Sequence, residues 1–336
     1  MNRNFKTRIK TELQDFTAKQ MQFFAWLCAV RALPFLGIKR RFSFWKRSER
    51  QEHLFSLFWT LDVVNLLTIS GIRINKEDAT EVAHSAAKAS VVAANATRNS
   101  TAHHAIKSIA CAANAVSEDV MSNKNVTNIA ISLSTASVNN AQSAVPFFGV
   151  SSKLAFVIFL ILISSIPFLV LVFAGDIIKQ ATTLNDTTIL IIAFILALAV
   201  GLIIYTIYSV IEKRKVQAFS RIIINDIHAI KYDDLESIDY NTQVYNKTWV
   251  RFIKNLRRMK CGYWADLYEN LFENKFVMDK DELWRRISIP RREQARGVVH
   301  VAEYLEREKR DRDFDTRRRN FDIKTFSLET VDKKSE

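Results

Sequence analysis

The chain has 336 residues, and its 48 Lys and Arg against 35 Asp and Glu give a formal net charge of +13. With seven glycines in total, a glycine-rich loop that cradles phosphate would be hard to build, and no GxSxG or HExxH motif is present. The three cysteines, Cys28, Cys111 and Cys261, have no CxxC or Cys/His ligand spacing and predict reduced or buried thiols. No catalytic residue, cofactor or small-molecule substrate is indicated, and a non-enzymatic protein is expected.

The first 20 residues are polar and lack the apolar core of a signal peptide. Met21 to Leu36 has aromatic and aliphatic residues at helical spacing and is predicted as a helix that ends near Pro34 and Gly37. Glu52 to Ser70 is predicted as a second apolar helix, with Gly71 as its stop.

Between these helices lies a basic run interleaved with aromatic residues. Anionic lipids attract Lys and Arg, and aromatic side chains insert at headgroup level, so the pattern favours contact with a lipid surface. A solvated loop and nucleic-acid binding are the alternatives, although no nucleic-acid-binding motif accompanies the run. The predicted lipid-contact residues are Lys39, Arg40, Arg41, Phe42, Phe44, Trp45, Lys46 and Arg47.

Residues 75–145 are rich in Ala, Ser, Asn and Val and predict three closely packed helices with a break at Asn99-Ser100-Thr101. Small side chains bury little apolar area each, so this array needs neighbours, either the Phe-rich helices at 21–70 or another copy of the chain. His84 could approach His103 or His104, but adjacent histidines point about 100° apart on a helix. Helix-packing or surface histidines are the favoured interpretation, and no metal site is predicted.

Two stretches without ionisable residues follow, at 154–174 and 189–211, joined by a link at 175–188. At 21 and 23 residues they are long enough for the roughly 30 Å hydrocarbon core of a bilayer, and they predict a pair of transmembrane helices. Pro167 should kink the first. In the second, Ala193, Ala197 and Gly201 form a small-residue face that could pack on the first span or on another copy of the chain. Active transport is disfavoured because neither span carries a charge.

Lys153 precedes the first span, and Lys213, Arg214 and Lys215 follow the second, so both termini are expected in the cytoplasm. The fold expected is all-α, with a two-span transmembrane helical hairpin between two helical cytoplasmic segments. Those segments are assigned to residues 1–150 and 212–320, and residues 321–336 to a disordered tail.

After the second span, Val210 to Ile230 is predicted to continue as a helical rod until the acidic break Asp233 to Asp239, whose carboxylates are interpreted as a solvated turn. Val244 to Phe272 is predicted as one basic, aromatic amphipathic helix. A shorter helix at Leu283 to Ile287 stops before Pro290, and a last helix begins near Glu293.

The segment from Phe24 to Pro34, followed by the Ala-rich array 79–145, resembles small helical families of putative immunity proteins in bacterial toxin systems. The aromatic segment Tyr263 to Tyr268, with Leu283-Trp284 and Ile289-Pro290 behind it, looks like an element that accompanies such arrays. The resemblance implies a setting of toxin immunity or anti-phage defence and brings no catalytic residue. The chain departs from that pattern by its two inserted spans.

These observations predict a bacterial inner-membrane protein of a conflict system, in its sharper form a membrane-perturbing effector controlled by a cytoplasmic partner. The alternative is a membrane-anchored scaffold or receptor that recruits a protein or RNA without toxic activity. The expected partners are the lipid bilayer and either further copies of the chain or a cytoplasmic protein.

Overall fold

In the computed structural model the described residues are 3–69, 76–97, 99–119, 135–136, 141, 186–234, 238, 246–273 and 280–308. They form helices and turns, and no strand occurs among them, so the all-α prediction is confirmed. The α-helices are α1 (Arg3–Leu13), α2 (Ala18–Ala32), α3 (Arg50–Ile69), α4 (Lys76–Asn95), α5 (Ser100–Asp119), α6 (Asp186–Lys231), α7 (Asn246–Arg258), α8 (Gly262–Glu273), α9 (Lys280–Ile287), α10 (Arg291–Gln294) and α11 (Val298–Glu308).

The chain divides into two compact units, one of residues 1–145 with 218–336 and one of residues 146–217. The first unit therefore contains both segments that the sequence predicts as separate helical domains, 1–150 and 212–320. The two segments share a core: the Phe58 ring of α3 lies 4.9 Å from the Trp264 ring and 5.2 Å from the Tyr268 ring, between centroids. The second unit holds residues 186–217 of α6.

Helix α2 begins with a capping box. The Thr17 hydroxyl accepts a hydrogen bond from the Gln20 backbone N–H, and the Gln20 side chain accepts one from the Thr17 backbone N–H, at 2.9 Å. The helix gives way to a 3-10 helix over Leu33–Ile38, which contains Pro34 at its start. The predicted helix end near Pro34 is confirmed.

The Ala-rich array is helical as predicted, and α4 and α5 pack on each other and on α2 and α3. Asn99 Oδ1 accepts a hydrogen bond from the Ala102 backbone N–H at 2.9 Å, so Asn99 caps α5 at the predicted break. Ala83, Ala86 and Ala112 are fully buried. The aromatic-rich helices at 21–70 are thus neighbours of the array, and most of the predicted third helix, up to 145, lies outside the described residues.

Helix α6 confirms the predicted rod and runs on to Lys231. It ends in a Schellman motif, in which the Asp234 N–H donates to the Ala229 carbonyl at 2.8 Å and the Asp233 N–H to the Ile230 carbonyl at 3.3 Å. Asp233 takes the left-handed conformation that this motif requires, with φ at 54°. The start of the predicted acidic break is therefore a helix cap.

The single helix predicted over Val244 to Phe272 is wrong, because it is divided into α7 and α8. A second Schellman motif makes the break: the Cys261 N–H donates to the Leu256 carbonyl at 2.9 Å, and the Lys260 N–H to the Arg257 carbonyl at 3.1 Å. Lys260, with φ at 61°, takes the position that glycine usually occupies, which is why the sequence gives no warning of the break.

The shorter C-terminal helices lie closer to their predicted bounds. Helix α9 covers the predicted Leu283 to Ile287 and ends before Pro290. The last helix, α11, begins at Val298 rather than near Glu293, because the turn of α10 and Gly297, with φ at 89°, come between.

Among the residues whose side chains are described, one helical stretch, Ala18–Ile38, is long and apolar enough to cross a membrane, with a mean hydropathy of 1.5. Of its most apolar window 89% is buried inside the protein, so it serves as a core helix of the first unit. The first predicted span, 154–174, lies outside the described residues, and the second, 189–211, is helical within α6.

Candidate functional site: an apolar helix face and a basic surface

Helix α6 exposes a row of large apolar side chains along the part predicted as the second span. Seven of them have between 42% and 62% of their surface exposed. They cover 20 helical steps and therefore about 30 Å of helix length, the thickness of a hydrocarbon core. These residues are Ile191, Ile195, Leu202, Ile203, Ile207, Val210 and Ile211. An apolar row of this length is expected to need a cover of lipid or protein.

The predicted membrane-packing residues fall in the same region. Ala193, Ala197 and Gly201 lie in helix α6, but their packing is outside the described part of the structure, as is Pro167. The small-residue face of the second span therefore stays a prediction.

The basic run at 39–47 has its aromatic residues inside the protein. Phe42 is fully buried, Phe44 is 7% exposed and Trp45 is 2% exposed. The Phe42 ring lies 6.1 Å from the Phe252 ring of α7, and Trp45 Nε1 donates to the Ala93 carbonyl of α4 at 2.8 Å. The prediction that these three rings insert among lipid headgroups is wrong, because they join the loop to the core.

The basic members of the run, in contrast, face solvent: Lys39, Arg40, Arg41, Lys46 and Arg47 are all exposed. Their contact with a lipid surface stays a prediction. The loop is held on α7 by Asn255, which is only 3% exposed. Its amide oxygen accepts from the Arg41 backbone N–H at 3.0 Å, and its amide nitrogen donates to the Lys39 carbonyl at 2.8 Å.

The close approach of loop and helix depends on Gly37. A Cβ atom there would lie 2.5 Å from the backbone nitrogen of Phe252 and 2.9 Å from its Cα. Only glycine fits between the 3-10 helix and α7 without moving one backbone away from the other. The basic loop is therefore placed against α7 by backbone packing as well as by the Asn255 hydrogen bonds.

The exposed face of α7 adds further basic residues. Arg257 is neutralised, since its Nη2 lies 3.0 Å from Asp266 Oδ1 and 2.5 Å from Glu269 Oε2 on α8. A groove of about 510 Å³ beside it is lined by Trp249, Val250, Ile253, Lys254, Arg257, Arg258 and Glu269. Arg258 also lines a second cleft, which it shares with the basic loop.

Two buried ion pairs connect the segment before the predicted spans to the segment after them. Arg31 of α2 donates through Nε and Nη2 to both carboxylate oxygens of Asp226 of α6, at 2.6 Å each, and both side chains are fully buried. Arg286 of α9 binds Asp62 of α3 in the same two-pronged way, at 2.7 and 3.0 Å. Such geometry is needed to offset the desolvation of buried charges.

A tyrosine and a glutamate lie beside the Arg286–Asp62 pair. The Tyr263 hydroxyl of α8 donates to Glu282 of α9, which lies beside Arg286 at 3.9 Å. Burial raises the pKa of Tyr263, and that of Tyr268 as well. Burial alone would lower the pKa of Arg286, but the attraction of Asp62 outweighs it and raises the pKa. Tyr263, Tyr268 and Arg286 thus keep their protons at neutral pH and act as structural links.

None of these four residues was predicted to be functional, although two of them have a signal in the sequence. Arg31 and Asp62 are charged residues in or beside apolar helical runs, since Arg31 follows Phe24 to Val30 and Asp62 interrupts Leu54 to Ile69. An ionisable residue in such a run predicts a buried partner of opposite charge.

No disulfide joins Cys28, Cys111 and Cys261, so they are thiols, as predicted. Burial, and next the nearby Asp226 charge, raise the pKa of Cys28, and burial raises the pKa of Cys261 to about 12, so both are thiols at neutral pH. His103 Nδ1 lies 2.9 Å from the Ala94 carbonyl and links α5 to α4. In the part of the chain that the structure describes, no three His, Cys, Asp or Glu side chains cluster as metal ligands would.

The segments that carry the resemblance to immunity proteins are core elements: Trp26 and Leu27 of α2 and Trp264 of α8 are at most 1% exposed. A relationship of this chain to immunity proteins stays a prediction. No family model matches this chain, and comparison with curated proteins and with solved structures gives no significant match.

Proposed function

We propose that this chain is a bacterial inner-membrane protein that acts by binding rather than catalysis, with a two-span hairpin at 154–174 and 189–211 that anchors a helical cytoplasmic unit. The observation that carries the proposal is the exposed apolar row of α6, from Ile191 to Ile211, which matches the hydrocarbon thickness in length. The charges of Lys213, Arg214 and Lys215 directly after it support a cytoplasmic end there.

Within this class, the role we propose is that of an effector in a conflict system, either anti-phage defence or toxin immunity. In this proposal a cytoplasmic partner holds the protein silent, and assembly of the spans on activation permeabilises the membrane. The small residues at 193, 197 and 201 support assembly, because such faces let helices approach closely. The resemblance of the Phe24 to Pro34 segment to immunity proteins supports the setting.

The test is expression of the full chain, alone and together with its neighbouring genes, while a potential-sensitive dye reports the membrane potential. The effector proposal expects loss of the potential in at least one of these conditions. Gly201→Leu should restore the potential by blocking close approach of the spans, whereas Leu202→Ile, a matched change on the neighbouring exposed residue, should leave the loss intact. A potential that stays intact under every condition would contradict an effector.

A second candidate is a membrane-anchored scaffold that recruits a cytoplasmic partner without toxicity. It is favoured by the first unit itself, in which the segments on either side of the spans share one core through the Arg31–Asp226 and Arg286–Asp62 pairs. A compact unit of this kind is suited to present a binding surface. Crosslinking in cells followed by pull-down should then recover a stable partner with no loss of viability.

A further inference from the structure

We propose that a cleft between the basic loop and the end of α7 binds a small phosphate-bearing anion. The cleft has a volume of about 430 Å³ and lies within the first unit. Four arginines line it, and no carboxylate of the described residues does so. Its lining residues are Arg41, Arg47, Arg50, Gln51, Arg258 and Met259.

The positive charge of this cleft is not neutralised by neighbouring side chains. In the described ranges, none of its four arginines lies within 4.0 Å of a carboxylate, and the nearby Glu49 is engaged by Lys46 at 3.5 Å and His53 at 3.7 Å. The adjacent residue on α7, Arg257, is paired with two carboxylates. Like charges gathered in a concave site repel one another, so a bound anion would stabilise this arrangement.

The arginines are positioned before any ligand arrives. Arg41 and Phe42 both have left-handed backbones, with φ at 55° and 53°, a strained conformation for residues other than glycine. Asn255 holds the Arg41 backbone at 3.0 Å, and the buried Phe42 ring holds the next residue. Backbone strain that the fold maintains at an exposed arginine and its neighbour is typical of a binding site.

The guanidinium of Arg50 is also fixed in place. Its Nε donates to the Trp45 carbonyl at 3.1 Å, and this bond orients the planar group at the edge of the cleft. Planar guanidinium groups match the oxygens of phosphate in pairs, which favours phosphate over a monovalent inorganic ion. Arginine side chains would thus bind phosphate here, as the backbone of a glycine-rich loop does in other proteins.

A phosphate of limited size fits better than a nucleic acid. Single-stranded nucleic acids stack their bases on exposed aromatic rings, but Phe42, Phe44 and Trp45 beside this cleft are at most 7% exposed. A lipid headgroup and a soluble polyphosphate offer the same phosphate chemistry. Both could be held by the same arginines.

The experiment titrates inorganic tripolyphosphate into the purified full chain in a neutral detergent, followed by calorimetry. Binding should weaken with salt, and Arg47→Gln and Arg258→Gln should each reduce the affinity about tenfold, the loss expected for one charged hydrogen-bonding partner. Arg257→Gln is the matched control on the same helix and should leave the affinity unchanged, because that charge is already paired. Thermal unfolding checks that each variant is folded.

A second arm identifies the source of the phosphate. The chain is placed in nanodiscs of phosphatidylcholine, with or without phosphatidylglycerol, and titrated again. If tripolyphosphate binds more weakly in the anionic discs, and Arg258→Gln abolishes this difference, the cleft is assigned to lipid headgroups. Equal binding in both kinds of disc assigns it to a soluble anion. The proposal fails if tripolyphosphate does not bind the wild type, if Arg257→Gln loses as much as Arg258→Gln, or if a single-stranded RNA binds far more tightly through the same arginines.

Discussion

Buried charged residues have structural roles in this protein, because they form ion pairs between helices that are distant in sequence. Arg31 and Asp226 are 195 positions apart in the chain, and Asp62 and Arg286 are 224 apart, yet each pair is buried and bidentate. The sequence could indicate that Arg31 and Asp62 need buried partners, because an isolated charge in an apolar run is too costly. It could not say which partner, since helical periodicity carries no information on contacts between distant segments.

The Arg31–Asp226 pair allows a prediction for stability. Asp226→Asn removes the charge that balances a fully buried guanidinium, and we expect it to cost about 3–5 kcal/mol of the free energy of unfolding. Replacing both partners by apolar residues, Arg31→Met with Asp226→Leu, should cost less than the single change. Thermal unfolding of the purified chain checks both.

The control for that prediction is Asp266→Asn, which breaks the exposed pair with Arg257 and should cost no more than about 1 kcal/mol. A loss from Asp266→Asn equal to that from Asp226→Asn would contradict the role of burial.

His53 makes stability depend on pH. Burial lowers its pKa from the ordinary 6.5, against the opposing charges of Glu52 and Glu49, so below pH 6.5 the unfolded chain takes up a proton more readily than the folded one. Stability should therefore be complete above pH 6.5, fall as the pH drops from 6.5 towards the lower folded-state pKa, and level off below that pKa. Each kcal/mol lost should lower the unfolding temperature by roughly 2–4 °C.

The check for His53 is the unfolding temperature between pH 7.5 and pH 5, measured for the wild type and for His53→Gln. The variant should lose most of the dependence in this range. Glu293 also has a lowered pKa, because His300 hydrogen-bonds to it, but it titrates below its ordinary 4.5 and so outside the range. An unchanged pH profile in the variant would rule out His53 as its source.

At the scale of elements, helix ends were harder to predict than helices. The ends with ordinary signals were found: Pro34 near the end of α2, and Asn99 before α5. The break between α7 and α8 was missed because its left-handed position holds Lys260 instead of glycine. Composition alone does not reveal a Schellman motif when the residue in it is atypical.

This break predicts that substitution by glycine has opposite effects on stability at two lysines. Lys260→Gly removes the steric cost of a left-handed side chain and should stabilise the protein by about 1 kcal/mol. Lys254→Gly, at an exposed position within α7, should destabilise by about 1 kcal/mol. Thermal unfolding of both variants tests the assignment, and a loss of stability in Lys260→Gly would contradict it.

The basic run at 39–47 shows a different limit of prediction from sequence. Basic residues alternating with Phe42, Phe44 and Trp45 look the same in sequence whether the rings enter a bilayer or a protein core. The structure places the rings in the core because α4 and α7 provide cover from both sides. The arginine cleft was equally hidden, since it depends on Arg258 being brought to the loop from more than 200 residues away.

Helix α6 combines an exposed apolar part with a part buried in the first unit, and this contrast predicts how charge affects it. Leu202→Lys puts a charge near the centre of the proposed span and should cost about 2.5–3.5 kcal/mol of insertion free energy. Less protein should then remain in membranes after alkaline carbonate extraction. Asn225→Lys, at an exposed position of the same helix within the first unit, is the control and should have no effect. Equal extraction of both variants and the wild type would argue against a bilayer-embedded α6.

On the scale of the whole molecule, the segments at 1–145 and 218–336 form one unit although the two proposed spans separate them in the chain. Local patterns gave the helices of both segments but not their shared core, which arises from long-range contacts such as those of Phe58 with Trp264 and Tyr268. This has a topological consequence. Two segments that share a core must be on the same side of any membrane that the chain crosses.

Both ends of the proposed hairpin are therefore expected on one side of the membrane. The basic residues Lys213, Arg214 and Lys215 predict that this side is the cytoplasm, with only the link at 175–188 outside. Reporter fusions after Val150 and after Lys215 should both give a cytoplasmic signal, and a fusion within 175–188 an external one. An odd number of spans would put 1–145 and 218–336 on opposite sides and prevent the Arg31–Asp226 pair from forming. An external signal at either flank would thus contradict the two-span hairpin, and a cytoplasmic signal at all three positions would contradict membrane crossing by these stretches.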